Sequence, residues 1–275
     1  MRRVEVSQLM GELVTCVASD GVRLAVEVEG NGPPLYALHG GPNNDRGDFG
    51  AYLSPVAAYR RLHLLDARGC GDSQDGPPES YTIQRLAEDV EDTRQQLGHE
   101  QIELLAHSFG GVVAVTYALR WPQHLKALVL VDAAFRGWRS VVANPRSWPL
   151  WARVIALNWQ QDADWAAFHA KYEVANPAKR EEALRALHQP RRFDPERVRR
   201  LGAAAVRPLS VQPILATGVP ILGIYGRQDT RFLGDAGHLR SAGAKVALID
   251  QAGHLPFLDQ PDAFHDVLRE FLERA

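Results

Sequence analysis

The sequence has few cysteines and almost no net charge, and each shortage argues against a class of protein. Its 275 residues contain two cysteines, Cys16 and Cys70, far apart and without a Cys-x-x-Cys spacing. A disulfide framework or a structural zinc site is therefore not expected. The chain has 31 basic and 33 acidic residues, which gives a formal net charge of -2. That balance provides no electrostatic attraction for nucleic acid or for an anionic membrane surface.

Long hydrophobic runs are also missing. No segment approaches the roughly 20 apolar residues of a membrane-spanning helix. The first residues, Met1–Val6, include two arginines, but the unbroken apolar run of a signal peptide does not follow them. We therefore expect a cytoplasmic protein. We expect no nucleic-acid or membrane partner, no cofactor and no metal.

Short apolar runs alternate with helical patterns along most of the chain. Asp20-Gly21 separates two alternating segments, which predicts an antiparallel hairpin. Helices are predicted over Thr82–Leu97, Gly110–Arg120 and Asp262–Glu273. Further strands are predicted at Leu35–Leu38, Leu62–Asp66, Ile102–Ala106, Ala127–Val131, Pro220–Tyr225 and Lys245–Ile249. Strands separated by helices form a mostly parallel sheet covered on both faces, which is an α/β fold.

The alternation stops between residues 133 and 218. This segment has helical patterns at Lys179–Leu187 and Pro195–Leu201 but no clear strand. We therefore expect a core made of residues 1–132 and 219–275, and a helical cap made of residues 133–218.

A candidate nucleophile, Ser108, lies in Ala106-His107-Ser108-Phe109-Gly110, between a predicted strand and a predicted helix. A serine exposed on so sharp a turn needs small residues two positions before and after it, and Ala106 and Gly110 meet that need. The following helix directs its N-terminal N–H groups toward the site, which favours a developing negative charge. The alternative is that Ser108 only caps the helix.

A serine hydroxyl needs a base, and the base needs a third group that orients it. His254 and Asp229 each follow a predicted strand, at the sheet edge where α/β proteins place their sites. Asp132 also follows a strand and remains an alternative acid. Among the other histidines, His238 lies in a predicted helix, and the sharp turn at Ser108 is expected to direct the side chain of His107 elsewhere.

The segment His39-Gly40-Gly41-Pro42 follows an early strand and predicts an oxyanion hole. Acyl transfer needs preorganised backbone N–H groups, and glycine allows the backbone to approach the reacting oxygen closely. We assign one donor to Gly41 and the other to Phe109, the residue after the nucleophile. The alternative is a simple turn, because Gly-Gly-Pro is also typical of turns.

Together these motifs resemble the α/β-hydrolase superfamily over nearly the whole chain. The resemblance implies an α/β-hydrolase fold with antiparallel N-terminal strands and a helical cap between the sixth and seventh strands. It also implies a triad of Ser108, Asp229 and His254. The motifs follow one another in the family's order: His39–Pro42, Asp66–Ser73, Ala106–Gly110, Gly226–Asp229 and Gly253–Phe257.

Two of these motifs, His-Gly-Gly-Pro and Asp-Ala-Arg-Gly-Cys-Gly-Asp-Ser, are similar to those of the proline iminopeptidase-like branch. That resemblance implies an enzyme that removes N-terminal residues, typically proline, from peptides. A free N-terminal ammonium group needs a carboxylate partner when it is buried. Glu173, Glu181 and Glu182 of the predicted cap are the candidate substrate-binding residues. Alternatively, these glutamates are solvated residues on helix surfaces.

The predicted reaction is a two-step acyl transfer in which Ser108 attacks a carbonyl, His254 takes its proton and Asp229 orients His254. Besides an aminopeptidase, a carboxylesterase, a lactonase and a carbon–carbon bond hydrolase would use the same groups. The expected partner is therefore a small-molecule or short-peptide substrate. An alternative of a different class is a ligand receptor on the same fold that does not turn over its ligand.

Overall fold

Eight strands form one sheet, and their bounds follow the apolar runs of the sequence closely. The structure is a computed structural model that describes residues 11–137, 145–158, 168, 171–187, 192, 194–205 and 207–275. The strands are β1 (Glu12–Val17), β2 (Arg23–Glu29), β3 (Pro34–Leu38), β4 (Arg61–Leu65), β5 (Ile102–His107), β6 (Leu125–Val131), β7 (Ile221–Gly226) and β8 (Lys245–Ile249).

The sheet has the order β1-β2-β4-β3-β5-β6-β7-β8. Strand β2 runs antiparallel to β1 and β4, and every other pair is parallel. The predicted hairpin is confirmed, and Gly21 in its turn has a φ of +86°. The loops that follow β3, β5, β6, β7 and β8 therefore leave the sheet at one common edge, where the candidate site residues meet.

Helices lie between the strands at the predicted positions. The side chain of Thr82 caps the first long helix by accepting a hydrogen bond from the Arg85 N–H at 3.1 Å, and Gly98 follows its end with a φ of +71°. The helices are α1 (Ile83–Gln96), α2 (Gly110–Arg120), α3 (Trp148–Asn158), α4 (Arg180–Leu187), α5 (Pro195–Ala205), α6 (Gln212–Leu215), α7 (Leu233–Ala242), α8 (Pro256–Asp259) and α9 (Pro261–Arg274).

Apolar side chains cover both faces of the sheet. On one face, α1 and α2 pack against the sheet through residues such as Leu86, Val90 and Val113. On the other face, Phe264 and Leu268 of α9 pack against apolar side chains of the strands. Burial on both faces explains why the parallel strands are continuous apolar runs rather than alternating ones.

In its described residues, the segment between β6 and β7 consists of helices and connecting loops and has no strand. It contains α3, α4, α5 and α6, which agrees with the two helices predicted from the sequence. The boundaries of the predicted cap, at residues 133 and 218, remain a prediction. In the described part of the chain, no helix has both the length and the apolar character required to cross a membrane.

Candidate active site

Ser108 lies on a sharp turn between β5 and α2. Its φ is +50°, a left-handed conformation that few non-glycine residues adopt. The turn presses against the end of β3, because a Cβ on Gly110 would lie 2.7 Å from the carbonyl oxygen of His39. Ala106 is fully buried. The two small residues flanking the serine therefore stand where the chain has no room for larger ones.

Three side chains from separate loops form a continuous hydrogen-bonded chain. The Oγ of Ser108 lies 2.9 Å from Nε2 of His254, and Nδ1 of His254 lies 2.5 Å from Oδ2 of Asp229. An ionised carboxylate only accepts hydrogen bonds, so Nδ1 carries the proton and Nε2 is left to accept from the serine hydroxyl. This is the arrangement that activates a serine nucleophile.

Arg231 holds the carboxylate of Asp229 in its charged form. Its Nε and its backbone N–H each donate to Oδ1 of Asp229 at 3.1 Å. Burial by itself raises the pKa of Asp229, but the positive charge of Arg231 and the hydrogen bonds from Arg231 and His254 outweigh it and hold that pKa well below its usual range. Asp229 is therefore an anion at neutral pH.

Glu173, from the segment between β6 and β7, contacts the same group of residues twice. Its carboxylate forms an ion pair with Arg231, and its backbone carbonyl accepts the N–H of His254 at 2.8 Å. Its backbone also lies against Gly253, where an added Cβ would lie 2.2 Å from the Glu173 carbonyl oxygen. Glu173 therefore contacts the loop of His254 through its backbone carbonyl and the side chain of Arg231 through its carboxylate.

Asp132 lies beside Asp229 but has different surroundings. Both of its oxygens accept the backbone N–H of Gly226 at 3.1 Å. Burial and the nearby charge of Asp229 raise the pKa of Asp132 well above its usual range. Of the two candidate acids, it is Asp229 that forms the hydrogen bond to Nδ1 of His254.

The candidate oxyanion donors lie close to the nucleophile. A Cβ on Gly40 would lie 3.2 Å from the Cβ of Ser108, so the backbone of this loop passes directly beside the serine. Gly41 has a φ of +51°, which favours glycine there. Within the described residues, the N–H groups of Gly41 and Phe109 donate to no protein acceptor. Both are therefore available to a substrate oxygen.

The side chain of His107 bonds to the loop of His254 and not to the Ser108 hydroxyl, in line with the expectation that the turn directs it elsewhere. Its Nε2 donates to the backbone carbonyl of His254 at 2.9 Å, and the two rings are 4.7 Å apart. Burial, together with the nearby His254, lowers the pKa of His107 to about 3, so its ring is neutral. His107 supports the backbone of His254 rather than reaching Ser108.

The three cap glutamates have different surroundings. Glu173 is buried and paired, as described above. Glu182 accepts a hydrogen bond from the Tyr52 hydroxyl at 2.6 Å and lies 3.0 Å from Lys179, while Glu181 is exposed in the first turn of α4. In the described contacts, Glu173 and Glu182 therefore have different partners.

Asp132, Asp229 and His254 place one ligand-type atom each within 4.8 Å of one another, which raises the question of a metal site. Their donor atoms already have partners. Asp229 accepts from Arg231 and His254, and Asp132 accepts from Gly226. A cation would have to displace these hydrogen bonds and would face the guanidinium of Arg231, so the donor set does not suit a metal.

Sequence reasoning missed Arg231 and the double contact of Glu173. A basic residue two positions after the candidate acid was the available signal for Arg231. Nothing local marked Glu173, because its partners lie 58 and more residues away along the chain. His238, in contrast, lies in the predicted helix, α7.

Comparison with known proteins shows the family of the chain. The family model of the alpha/beta hydrolase fold matches residues 33–200, which is more than half of the chain. The chain therefore belongs to the α/β-hydrolase fold family. Matches at the level of individual proteins support a hydrolase enzyme that resembles the proline iminopeptidase-like branch.

Two relatives and one solved structure illustrate these matches. A proline iminopeptidase of Saccharolobus solfataricus is 25% identical, with 90% of this chain and 87% of the relative covered. A pimeloyl-[acyl-carrier protein] methyl ester esterase of Aeromonas salmonicida is 27% identical, with coverages of 90% and 99%. The crystal structure of a proline iminopeptidase-related protein from Thermus thermophilus superposes with a TM-score of 0.77 at 25% identity, covering 96% of this chain and 97% of that one.

Proposed function

We propose that the protein is a serine hydrolase that cleaves carboxylic acid derivatives through an acyl-enzyme, with Ser108, His254 and Asp229 as its triad. One observation carries the proposal: the hydrogen-bonded chain from Ser108 through His254 to an ionised Asp229. A serine that merely capped α2 would not need a histidine 146 residues away at 2.9 Å. The unused N–H groups of Gly41 and Phe109 add the second requirement of acyl transfer, a place for the oxyanion.

The reaction follows from the positions of these groups. Nε2 of His254 removes the proton of Ser108 as Oγ attacks the carbonyl carbon, and Gly41 and Phe109 donate to the oxygen that becomes negative. His254 then gives that proton to the leaving group. A water molecule, activated by the same nitrogen, attacks the acyl-enzyme and releases the acid. Throughout, Asp229 stabilises the positive charge that His254 carries transiently.

A carboxylic ester is the substrate that the surroundings support best. Recognition of an N-terminal ammonium needs a carboxylate that is free to pair with it. Glu173 is already paired with Arg231, and Glu182 already contacts Tyr52 and Lys179. The likeness to a methyl ester esterase over nine-tenths of the chain supports the same choice.

An aminopeptidase is the second candidate. Its support is the likeness to a proline iminopeptidase over 90% of the chain. In this case Glu173, Glu181 or Glu182 of the predicted cap would exchange a present contact for the N-terminal ammonium of the peptide. Cleavage would then require a free N-terminus.

A matched panel of substrates tests the proposal. Short acyl esters and the arylamides of proline and other amino acids are compared with wild type and with Ser108→Ala. Ser241→Ala, a change on the exposed surface of α7, serves as the control. We expect ester hydrolysis that is lost in Ser108→Ala and retained in Ser241→Ala. Cleavage of arylamides with free N-termini alone would favour the aminopeptidase instead.

Covalent labelling separates an enzyme from a receptor. A fluorophosphonate reacts with an activated serine, so it should label the folded wild-type protein at Ser108 and should not label Ser108→Ala. Absence of labelling in folded wild type would contradict the triad mechanism.

A further inference from the structure

A buried arginine joins the predicted cap to the loop that carries one of the candidate oxyanion donors. Arg197 lies in the first turn of α5, and only 1% of its side chain is exposed. Its guanidinium group lies over the ring of Tyr81, with Cζ 5.6 Å from the ring centre. Gly69 leaves room for it, since a Cβ at that position would collide with Nη1. A guanidinium stays charged when it is buried, so polar partners must compensate for its loss of hydration.

The hydrogen bonds of Arg197 go mainly to the two residues that follow the candidate donor. Nε donates to the backbone carbonyl of Pro42 and to Oδ1 of Asn43, both at 3.0 Å, and Nη2 donates to the same Oδ1 at 2.7 Å. Because the guanidinium is planar and rigid, it fixes these two acceptors relative to each other and to α5. The nearby carboxylates of Asp75 and Asp194 lie farther away, at 3.7 and 3.9 Å from Nη1.

The backbone before Pro42 needs such a support. Gly40 and Gly41 are consecutive glycines with wide conformational freedom, and Gly41 has a φ of +51°. An oxyanion donor is effective when its direction is fixed before the reaction begins. Pro42 has no N–H, so its carbonyl is the backbone group by which it can be held. The hydrogen bond from Arg197 to that carbonyl therefore limits movement of the chain directly after the donor.

The side chain of Asn44 supports the same donor from within the core. A Cβ on Gly41 would lie 2.7 Å from Cγ of Asn44, so this side chain lies against the glycine. Nδ2 of Asn44 in turn donates to Oδ2 of Asp48 at 2.6 Å. Gly41 is thus held by the core through Asn44 and by the predicted cap through Arg197.

We propose that Arg197 is a positioning residue for the reaction and keeps the N–H of Gly41 directed at the carbonyl oxygen of the substrate. The inference rests on the proposed function, because it assumes that Gly41 donates to that oxygen. The described contacts of Arg197 include neither Ser108 nor His254, so it acts through the loop. Its loss should therefore lower kcat and leave KM nearly unchanged.

Steady-state kinetics on a p-nitrophenyl ester compare wild type with Arg197→Ala, Arg197→Lys and Asn43→Ala. Misplacement of a catalytic group by about 1 Å can cost about 100-fold in rate, so we expect kcat to decrease about 10- to 100-fold in Arg197→Ala. Lysine keeps the charge but lacks the planar fork, so it should restore little of that loss. Asn43→Ala removes one acceptor and leaves Arg197 in place, and a decrease of about tenfold is expected.

A thionoester distinguishes positioning of the donor from a purely structural role. Sulfur accepts hydrogen bonds weakly, so an aligned oxyanion donor favours an ester over the matching thionoester. We expect the ratio of kcat/KM for the ester to that for the thionoester to decrease about tenfold in Arg197→Ala and to decrease also in Asn43→Ala. A residue needed only for folding would lower both rates equally and leave the ratio unchanged. If Arg197→Ala does not fold, the ratios in Arg197→Lys and Asn43→Ala decide the matter.

Arg199→Ala is the matched control, since Arg199 lies in the same helix, has a side chain that is 66% exposed and pairs with Glu196. It should leave kcat and the ratio unchanged. An unchanged ratio in the folded variants of residues 197 and 43, with hydrolysis that still depends on Ser108, would overturn the positioning role alone. Absence of both hydrolysis and fluorophosphonate labelling in wild type would overturn the proposed function itself.

Discussion

The loops after β6 and β7 each bury an aspartate, yet the two carboxylates have opposite electrostatic surroundings. Asp229 accepts hydrogen bonds from Arg231 and His254, and its pKa is lowered. Asp132 accepts only from the backbone of Gly226 among its described hydrogen bonds, and its pKa is raised. Position at the end of a parallel strand therefore does not by itself determine the charge of a buried carboxylate. The contacts with Arg231 and His254 distinguish Asp229, and they support its proposed role as the triad acid.

Exchange of each aspartate for its amide is the strongest test of this comparison. Asp229→Asn can donate to Nδ1 of His254 and so favours the wrong tautomer, and a loss of about 10⁴ in kcat is expected. Asp132→Asn keeps an oxygen for the Gly226 N–H, and a loss below about tenfold is expected. Steady-state kinetics on the best ester checks both. If Asp132→Asn proves the more damaging change, Asp229 is not the acid.

Removal of Arg231, the cation that contacts Asp229, is expected to have the next largest effect. Arg231→Gln leaves Glu173 and Asp229 buried without the guanidinium that pairs with both, and a loss of about 3–5 kcal/mol in the free energy of unfolding is expected. Denaturant unfolding measures it. The double variant Arg231→Gln/Glu173→Gln also removes the charge of residue 173 and should recover part of that loss. No recovery would mean that Glu173 and Arg231 do not act as a pair.

The two aspartates are expected to change the stability of the protein in opposite directions as the pH rises. The lowered pKa of Asp229 means that its stabilising contribution is present above the unfolded value and is lost as pH falls through the folded pKa. The pKa of Asp132 is raised in the folded state, so between the unfolded and the folded pKa values the folded state keeps a proton that the unfolded state has lost. Stability therefore decreases as pH rises from the unfolded pKa of about 3.9 through the folded one.

Melting temperatures recorded across this pH range check the prediction. The decrease on the alkaline side should be smaller in Asp132→Asn, because the amide does not ionise. Asp229→Asn should instead flatten the acid side. A wild-type-like pH profile in both variants would mean that neither aspartate is shifted.

His107 is expected to give the smallest effect. His107→Ala removes the hydrogen bond to the His254 carbonyl, and one such bond contributes about 0.5–1.5 kcal/mol. Since the triad itself is intact, kcat should decrease by about tenfold or less. His107→Asn offers a shorter donor and should recover part of the activity. Equal losses in both variants would point to packing of the ring rather than to its hydrogen bond.

Much of the fold and part of the candidate site could be predicted from the sequence. Strand positions, the bounds of α2 and the turn at Ser108 follow from local patterns, because apolar runs and small residues act over a few positions. The loops that place Asp229 and His254 at one sheet edge follow from parallel pairing. Those signals are the same for Asp132, so the sequence left the two aspartates as alternatives.

The remaining features depend on contacts between distant residues. Arg231 meets Glu173 across 58 positions, and His107 meets the backbone of His254 across 147. A glutamate can be solvated, bind a substrate or form an ion pair inside the protein, and the tertiary structure decides which. Local sequence patterns do not contain that information, so the sequence does not distinguish Glu173 from Glu181 and Glu182.

The double contact of Glu173 has a consequence for how this enzyme can be altered. A helical insertion that only shaped a pocket could be exchanged for another in order to change specificity. Here the insertion also supplies a carbonyl to His254 and a carboxylate to Arg231, and its backbone fits against Gly253. A replacement insertion must therefore provide the same contacts to His254, Arg231 and Gly253. An exchange made to alter specificity would also disturb the residues that hold the proposed general base.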